Sequence, residues 1–246
     1  MLFDAHLHIV DPRFPLVESD GYVPEPFTVD DYRERTAGLD VRGGAVVSGS
    51  FQGFDQAYLI DALERLGPGF VGVTQLPASA GDDEILALDR AGVRAVRFNL
   101  VRGGSAPLED LEALAGRAFA LAGWHAEVYV DGRELAAHEA RLAALPRASI
   151  DHLGLHEEGL PALLRLVERG VKVKATGFGR ASLDVAEALR AIAAVHPGAL
   201  LFGTDLTRAR RPFADADVEL VRSALGPALA RRALHDNAAA WYGVSR

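Results

Sequence analysis

No cysteine occurs anywhere in the 246 residues. That excludes disulfides, thiolate metal sites and a cysteine nucleophile, and it fits a reducing compartment. There is no excess of positive charge either: 26 Lys and Arg stand against 34 Asp and Glu, a net charge of −8. Nucleic acid and an acidic membrane surface are therefore disfavoured as main partners. An anionic small molecule is not, because local arginines can override the global sign. Long hydrophobic runs are missing too, the longest being strand-length rather than the roughly 20 residues of a membrane span. The opening Met1-Leu2-Phe3-Asp4 lacks the basic-then-apolar pattern of a signal peptide. The expectation is a cytoplasmic enzyme. No Pro/Gly/Ser linker or low-complexity tract divides the chain, which predicts one domain over residues 1–246.

What is there reads as a soluble globular protein, 49% apolar and 24% charged. Short β-rich runs alternate with longer Ala/Leu/Arg/Glu-rich segments, the signature of βα units around a parallel sheet. Strands are predicted at 2–9, 44–48, 70–76, 94–100, 125–130, 148–153, 171–176 and 200–206. Eight is the number a closed barrel needs, and the chain length suits one, so the fold class is α/β, a single (β/α)8 TIM barrel. Helical spacing marks 55–66, 82–91, 159–169 and 183–195, with final helices at 215–225 and 227–240. Residues 10–30 form a long connection rich in Pro, Gly and aromatics, the kind of loop that caps a barrel mouth or binds a ligand.

Chemistry concentrates at strand ends. In Asp4-Ala5-His6-Leu7-His8 the two histidines are two apart and project to one side, the mouth of the barrel. His152 closes the sixth strand, with Asp151 expected to point outward by strand parity. Asp205 closes the eighth after Gly203-Thr204, where a carboxylate can serve as general base, metal ligand or helix cap. Arg97 and Asn99 share the inward face of strand four. A guanidinium in that position needs an anion, either a substrate carboxylate or an internal Asp or Glu. Lys174 is in register to face inward, with Asp205 or Asp4 as its expected partner. His125 stands at the wrong end of strand five to reach the mouth.

Together His6-x-His8, Val96-Arg97-Phe98-Asn99-Leu100, Trp124-His125, Asp151-His152-Leu153-Gly154, Gly203-Thr204-Asp205 and the closing Asp236-Asn237-Ala238-Ala239-Ala240-Trp241-Tyr242-Gly243 resemble the amidohydrolase superfamily. Most closely they resemble its lactone-opening TIM-barrel branch, that of the pyrone-dicarboxylate lactonases. The resemblance implies that Asp205 activates water, that His152 polarises the substrate carbonyl, and that His6 and His8 complete the pocket. It implies substrate contacts from Arg97, Asn99, Arg102 and Arg180, and from Tyr22 and Tyr129. The partner implied is a small anionic organic substrate; a homo-oligomer is compatible with the sequence. A two-metal site lacks its bridging residue, since Arg97 and Asn99 stand where it would be. One divalent, zinc-like ion on His6, His8, His152 and Asp205 suits the donor set, and a metal-free mechanism suits it equally. The alternatives are a metal-dependent decarboxylase or hydratase of the same superfamily, and a non-catalytic binding barrel in which Asp205 turns away from the mouth.

Overall fold

The computed structural model describes residues 1–18, 23–207 and 213–244. Its strands are β1 (Leu2–Leu7), β2 (Val41–Val47), β3 (Phe70–Thr74), β4 (Val93–Asn99), β5 (His125–Tyr129), β6 (Ala148–Ile150), β7 (Lys172–Ala175) and β8 (Leu200–Phe202). All neighbouring pairs are parallel, in the order β1 to β8. The sheet closes where the Asp205 N–H donates to the His6 carbonyl (2.7 Å) and the His8 N–H donates to that of Leu206 (3.0 Å). The result is the (β/α)8 TIM barrel.

Helices α1 (Val29–Arg35), α2 (Ala57–Leu66), α3 (Asp82–Arg90), α4 (Leu111–Ala122), α5 (Leu135–Ala144), α6 (Leu160–Glu168), α7 (Val185–Val195), α8 (Asp215–Arg231) and α9 (Asn237–Tyr242) follow the strands. Local signals start them. Thr28 and Asp31 form a capping box on α1, and Asp184 accepts from the Glu187 N–H at the start of α7 (2.9 Å). The expected break between the last two helices is present: Gly226 (φ 70°, ψ 170°) interrupts α8 with non-helical backbone just before Pro227, and a π-helical turn at Arg232–Asp236 leads into α9.

Strand alternation sorts the core into two layers. Val46, Val96, Phe98, Val128, Ile150, Val173 and Phe202 pack against the helices, while Phe3, Ala45, Val71, Val73, Ala95 and Leu201 fill the lower barrel. Tyr242 of α9 plugs that lower end, its ring stacked on Phe3 at 5.7 Å.

Two predicted strands end three or four residues early. Strand six was expected to reach residue 153 and stops at Ile150; strand eight was expected to reach 206 and stops at Phe202. The cause is left-handed backbone at His152 (φ 52°), Leu153 (54°), Leu155 (67°) and Asp205 (56°), which cannot continue a ladder. The long first connection is a pinned loop. Val10 and Phe27 exchange both backbone hydrogen bonds (2.7 and 2.8 Å), and Arg13 bridges Asp11 and Asp61 (2.8 and 2.5 Å). Tyr22 lies outside the described residues.

Gly203 allows the closure. A β-carbon there would stand 2.6 Å from the His6 nitrogen and 2.7 Å from its Cβ. Gly203→Ala is expected to lose roughly 1–3 kcal/mol of stability, the cost of overpacking a fixed backbone contact. Urea unfolding measures it; an unchanged midpoint would mean that β8 can move away from β1 freely.

Candidate active site

His6, His8, His152 and Asp205 converge at the mouth. The His6 ring centroid is 5.0 Å from those of both His8 and His152. Asp205 Oδ1 lies 3.7 Å from His6 Nε2 and 3.6 Å from His8 Nε2, so Asp205 faces the cluster rather than turning away. Asp4 does not join them: its carboxylate accepts from Thr204 Oγ1 (2.6 Å), the Thr204 N–H (2.8 Å) and the Tyr32 hydroxyl (3.1 Å). The left-handed backbone that ends β6 turns the His152 ring back over the barrel, edge-on to Tyr129 at 4.9 Å.

Arg180, the last residue of the short 3-10 turn Phe178–Arg180, reaches across this mouth. Its Nη2 lies 2.8 Å from Asp205 Oδ2 and 2.5 Å from His152 Nε2. Gly177 makes room: a β-carbon there would stand 2.8 Å from His152 Nδ1. A small cleft walled by Phe178, Phe202, Gly203 and Phe213 opens beside Asp205.

Charge states follow from this packing. Burial would raise the Asp205 carboxyl, yet the Arg180 guanidinium outweighs it and holds it well below the usual range. Burial, reinforced by Arg180, pushes the His152 imidazole down to about 3. Burial, reinforced by Lys174 and the neighbouring imidazoles, keeps His6 neutral as well. A histidine depressed in the fold makes acid destabilising: between the unfolded value of 6.5 and about 3, only the unfolded chain takes up the proton. Between pH 7 and pH 5, His152 alone is expected to withdraw about 2 kcal/mol of stability. Urea unfolding at the two pH values should show that difference shrinking by this amount in His152→Gln; an equal slope would mean that the ring titrates normally.

Beneath the mouth the barrel is charged where the sequence reading placed less. Asp151 points inward, not outward: Oδ2 accepts from Arg97 Nη2 at 2.8 Å and Oδ1 lies 3.6 Å from His6 Nδ1. The parity was readable from Ile150, whose apolar side chain faces the helices and so turns residue 151 inward. Arg97, 3% exposed, also donates to the Ser48 carbonyl (2.7 Å), with its Nε 3.8 Å from Glu127. In this structure its anion is internal, an ion pair with Asp151 within the barrel. Lys174 faces inward, but its partner is Glu127 rather than Asp205 or Asp4. It also donates to the Ala5 carbonyl at 2.7 Å. Burial raises the Glu127 carboxyl, with Lys174 opposing. His125 lies at the far end, against Trp241 and Tyr242. Asn99 faces inward and accepts from the Arg102 N–H (2.9 Å), ordering the loop after β4 on which Arg102 is exposed.

The donor set fits a divalent cation. His8 Nδ1 lies 2.7 Å from the Val47 carbonyl oxygen, which makes Nδ1 the N–H and leaves Nε2 as an acceptor. His6 Nε2 is buried without a partner, so two imidazole nitrogens and Asp205 Oδ1 present three converging acceptors. His6, Asp151 and His152 form a second such group.

Comparison with known proteins places this geometry. The amidohydrolase family profile matches residues 3–244. The chain belongs to the amidohydrolase family. This amidohydrolase is 31% identical to a 2-pyrone-4,6-dicarboxylate hydrolase of Comamonas testosteroni over 156 residues, 61% of this chain and 51% of that protein. The alignment thus spans about half the length of that relative. It is 28% identical to a D-galactarolactone isomerase of Agrobacterium fabrum over 222 residues, 82% of this chain and 75% of the other. A crystal structure from Agrobacterium tumefaciens superposes with a TM-score of 0.88 at 25% identity, covering 99% of this chain and 96% of that one. None of the described helices is long and apolar enough to cross a membrane.

Proposed function

We propose that this amidohydrolase opens a lactone, a cyclic carboxylic ester, in a carboxylate-bearing small molecule. The observation that carries the reading is the Arg180 guanidinium shared by Asp205 and His152. A substrate carboxylate is the group able to draw that guanidinium away and leave Asp205 free. Asp205 then takes a proton from water as the oxygen attacks the ester carbonyl. The carbonyl carbon–ring oxygen bond breaks, and the leaving ring oxygen takes the proton that Asp205 removed from water, giving a hydroxy acid from a saturated ring or an enol acid from a pyrone. His152, neutral, donates one N–H toward the developing oxyanion. Tyr129 flanks His152, Arg102 serves the rim, and Asn99 orders that rim. The two relatives, named for a pyrone dicarboxylate and a galactarolactone, support the same substrate class. We assign the work to the cytoplasm.

A divalent ion on His6, His8 and Asp205 would supply Lewis-acid polarisation of the carbonyl and of water. The three converging acceptors also favour a second reading, a metal-dependent decarboxylase or hydratase. Elemental analysis of purified protein tests the second reading, because the absence of a stoichiometric ion would exclude it.

Ring opening of 2-pyrone-4,6-dicarboxylate beside a neutral lactone, in wild type and Arg180→Met, tests the proposal. Wild type should open the carboxylated ring. The variant should bind it about 2 kcal/mol more weakly, the low end for truncating a desolvated charge pair, because the Arg180 side chain keeps 28% exposure. The neutral lactone should lose far less. No turnover of either ring by wild type sinks the hydrolase reading. A preference for the neutral ring would replace the anionic substrate with a sugar-type lactone.

A further inference from the structure

Four charged side chains beneath the mouth take no part in the chemistry above. Arg97 is paired with Asp151 and Lys174 with Glu127, all of them buried. Two of the carboxylate oxygens, Glu127 Oε1 and Asp151 Oδ1, have no donor. Both lie against a single atom, His6 Nδ1, at 3.5 and 3.6 Å. The third neighbour of that nitrogen is Lys174 Nζ, at 3.5 Å. We propose that Glu127 and Asp151 are positioning residues that hold His6 in its Nδ1–H tautomer, so that the Nε2 lone pair is presented to the site.

A neutral imidazole carries one N–H, and its placement is decided by what faces each nitrogen. With the proton on Nε2, the Nδ1 lone pair would face two buried carboxylate oxygens that themselves lack donors. With the proton on Nδ1, the N–H dipole faces both oxygens and attracts them electrostatically from 3.5 and 3.6 Å, in place of a lone pair that would repel them. The opposing contact is weak, because Lys174 already donates to the Ala5 carbonyl at 2.7 Å and to Glu127 Oε2. Its third proton reaches His6 only at the limit of hydrogen bonding. Leaving charged buried acceptors empty costs more than losing that contact. His8 has the same tautomer by a different route, through the Val47 carbonyl. Both Nε2 lone pairs then point toward Asp205 Oδ1, at 3.7 and 3.6 Å, which is the arrangement that orders a water or a cation between them.

Neither carboxylate reaches the mouth; both are fully buried. They act through His6. That His6 serves ring opening rests on the function proposed above, whereas its tautomer does not.

Long-range 1H–15N correlation spectra of the full chain, labelled at its histidines, read the tautomer directly. The His6 signals are assigned by their disappearance in His6→Gln. Wild type is expected to show His6 protonated at Nδ1 and bare at Nε2. Glu127→Gln and Asp151→Asn should each populate the Nε2–H form, and the double variant should adopt it. In parallel, kcat for ring opening of 2-pyrone-4,6-dicarboxylate should fall roughly ten- to a hundredfold with KM little changed. An Nε2–H wild type overturns the proposal, and so does an Nδ1–H tautomer that persists in the double variant. The wild-type spectrum needs no variant to fold. The expected spectra without any ring opening would count against the lactone reading alone.

Discussion

Asp205→Asn is expected to lower ring opening by at least about a hundredfold while leaving the protein folded. The loss is the low end of what a positioned general base contributes. Asparagine keeps the shape and the oxygen but has no basic electron pair to take the proton from water. It also suits the backbone, because position 205 has φ 56°, and Asn tolerates left-handed conformations better than most residues. The hydrogen bond that closes the barrel here runs from the residue 205 backbone N–H to the His6 carbonyl and is untouched. In the resting protein Arg180 holds the Asp205 carboxyl low, which makes it a weak base until a substrate anion engages Arg180. Carboxylated rings should therefore feel the substitution more strongly than neutral ones. Steady-state rates with circular dichroism as the folding check decide it; near-normal turnover would assign water activation to another group.

The largest effect on stability is expected from Arg97→Met, a loss of about 3–5 kcal/mol, the range for removing one partner of a buried ion pair. Methionine fills much of the stem volume, so the cost is electrostatic. Asp151 Oδ2 loses its 2.8 Å partner, and Glu127 is left with Lys174 and the Tyr242 hydroxyl. Pairing the change with Asp151→Leu should recover most of the loss, because an apolar pair removes both charges from the interior. Urea unfolding of the single and double variants gives the comparison. A single variant within 1 kcal/mol of wild type would mean that attraction and desolvation cancel at this pair.

Much of the framework was legible without coordinates because its signals are local. Eight apolar runs at βα spacing sufficed for the barrel. The period-two geometry of a strand put His6 beside His8 and sent both Arg97 and Asn99 inward. Strand-end positions sufficed to nominate His152 and Asp205, although their exact approach depends on left-handed turns that no residue type announces. Tyr22, expected as a substrate contact, lies outside the described residues.

The sequence by itself determined the order of strands and helices, the restriction of cysteine chemistry, and the side of each strand on which the histidines and arginines lie, because all of these depend on composition or on spacing along one segment. Only the tertiary structure decided which charges meet. Arg97 finds Asp151 two strands away, Lys174 finds Glu127 two strands away, and Arg180 finds Asp205 across the junction of β7 and β8. Those pairings are set by barrel closure, where stagger and twist bring side chains from non-adjacent strands to one height, and that geometry is written in no single stretch of the chain.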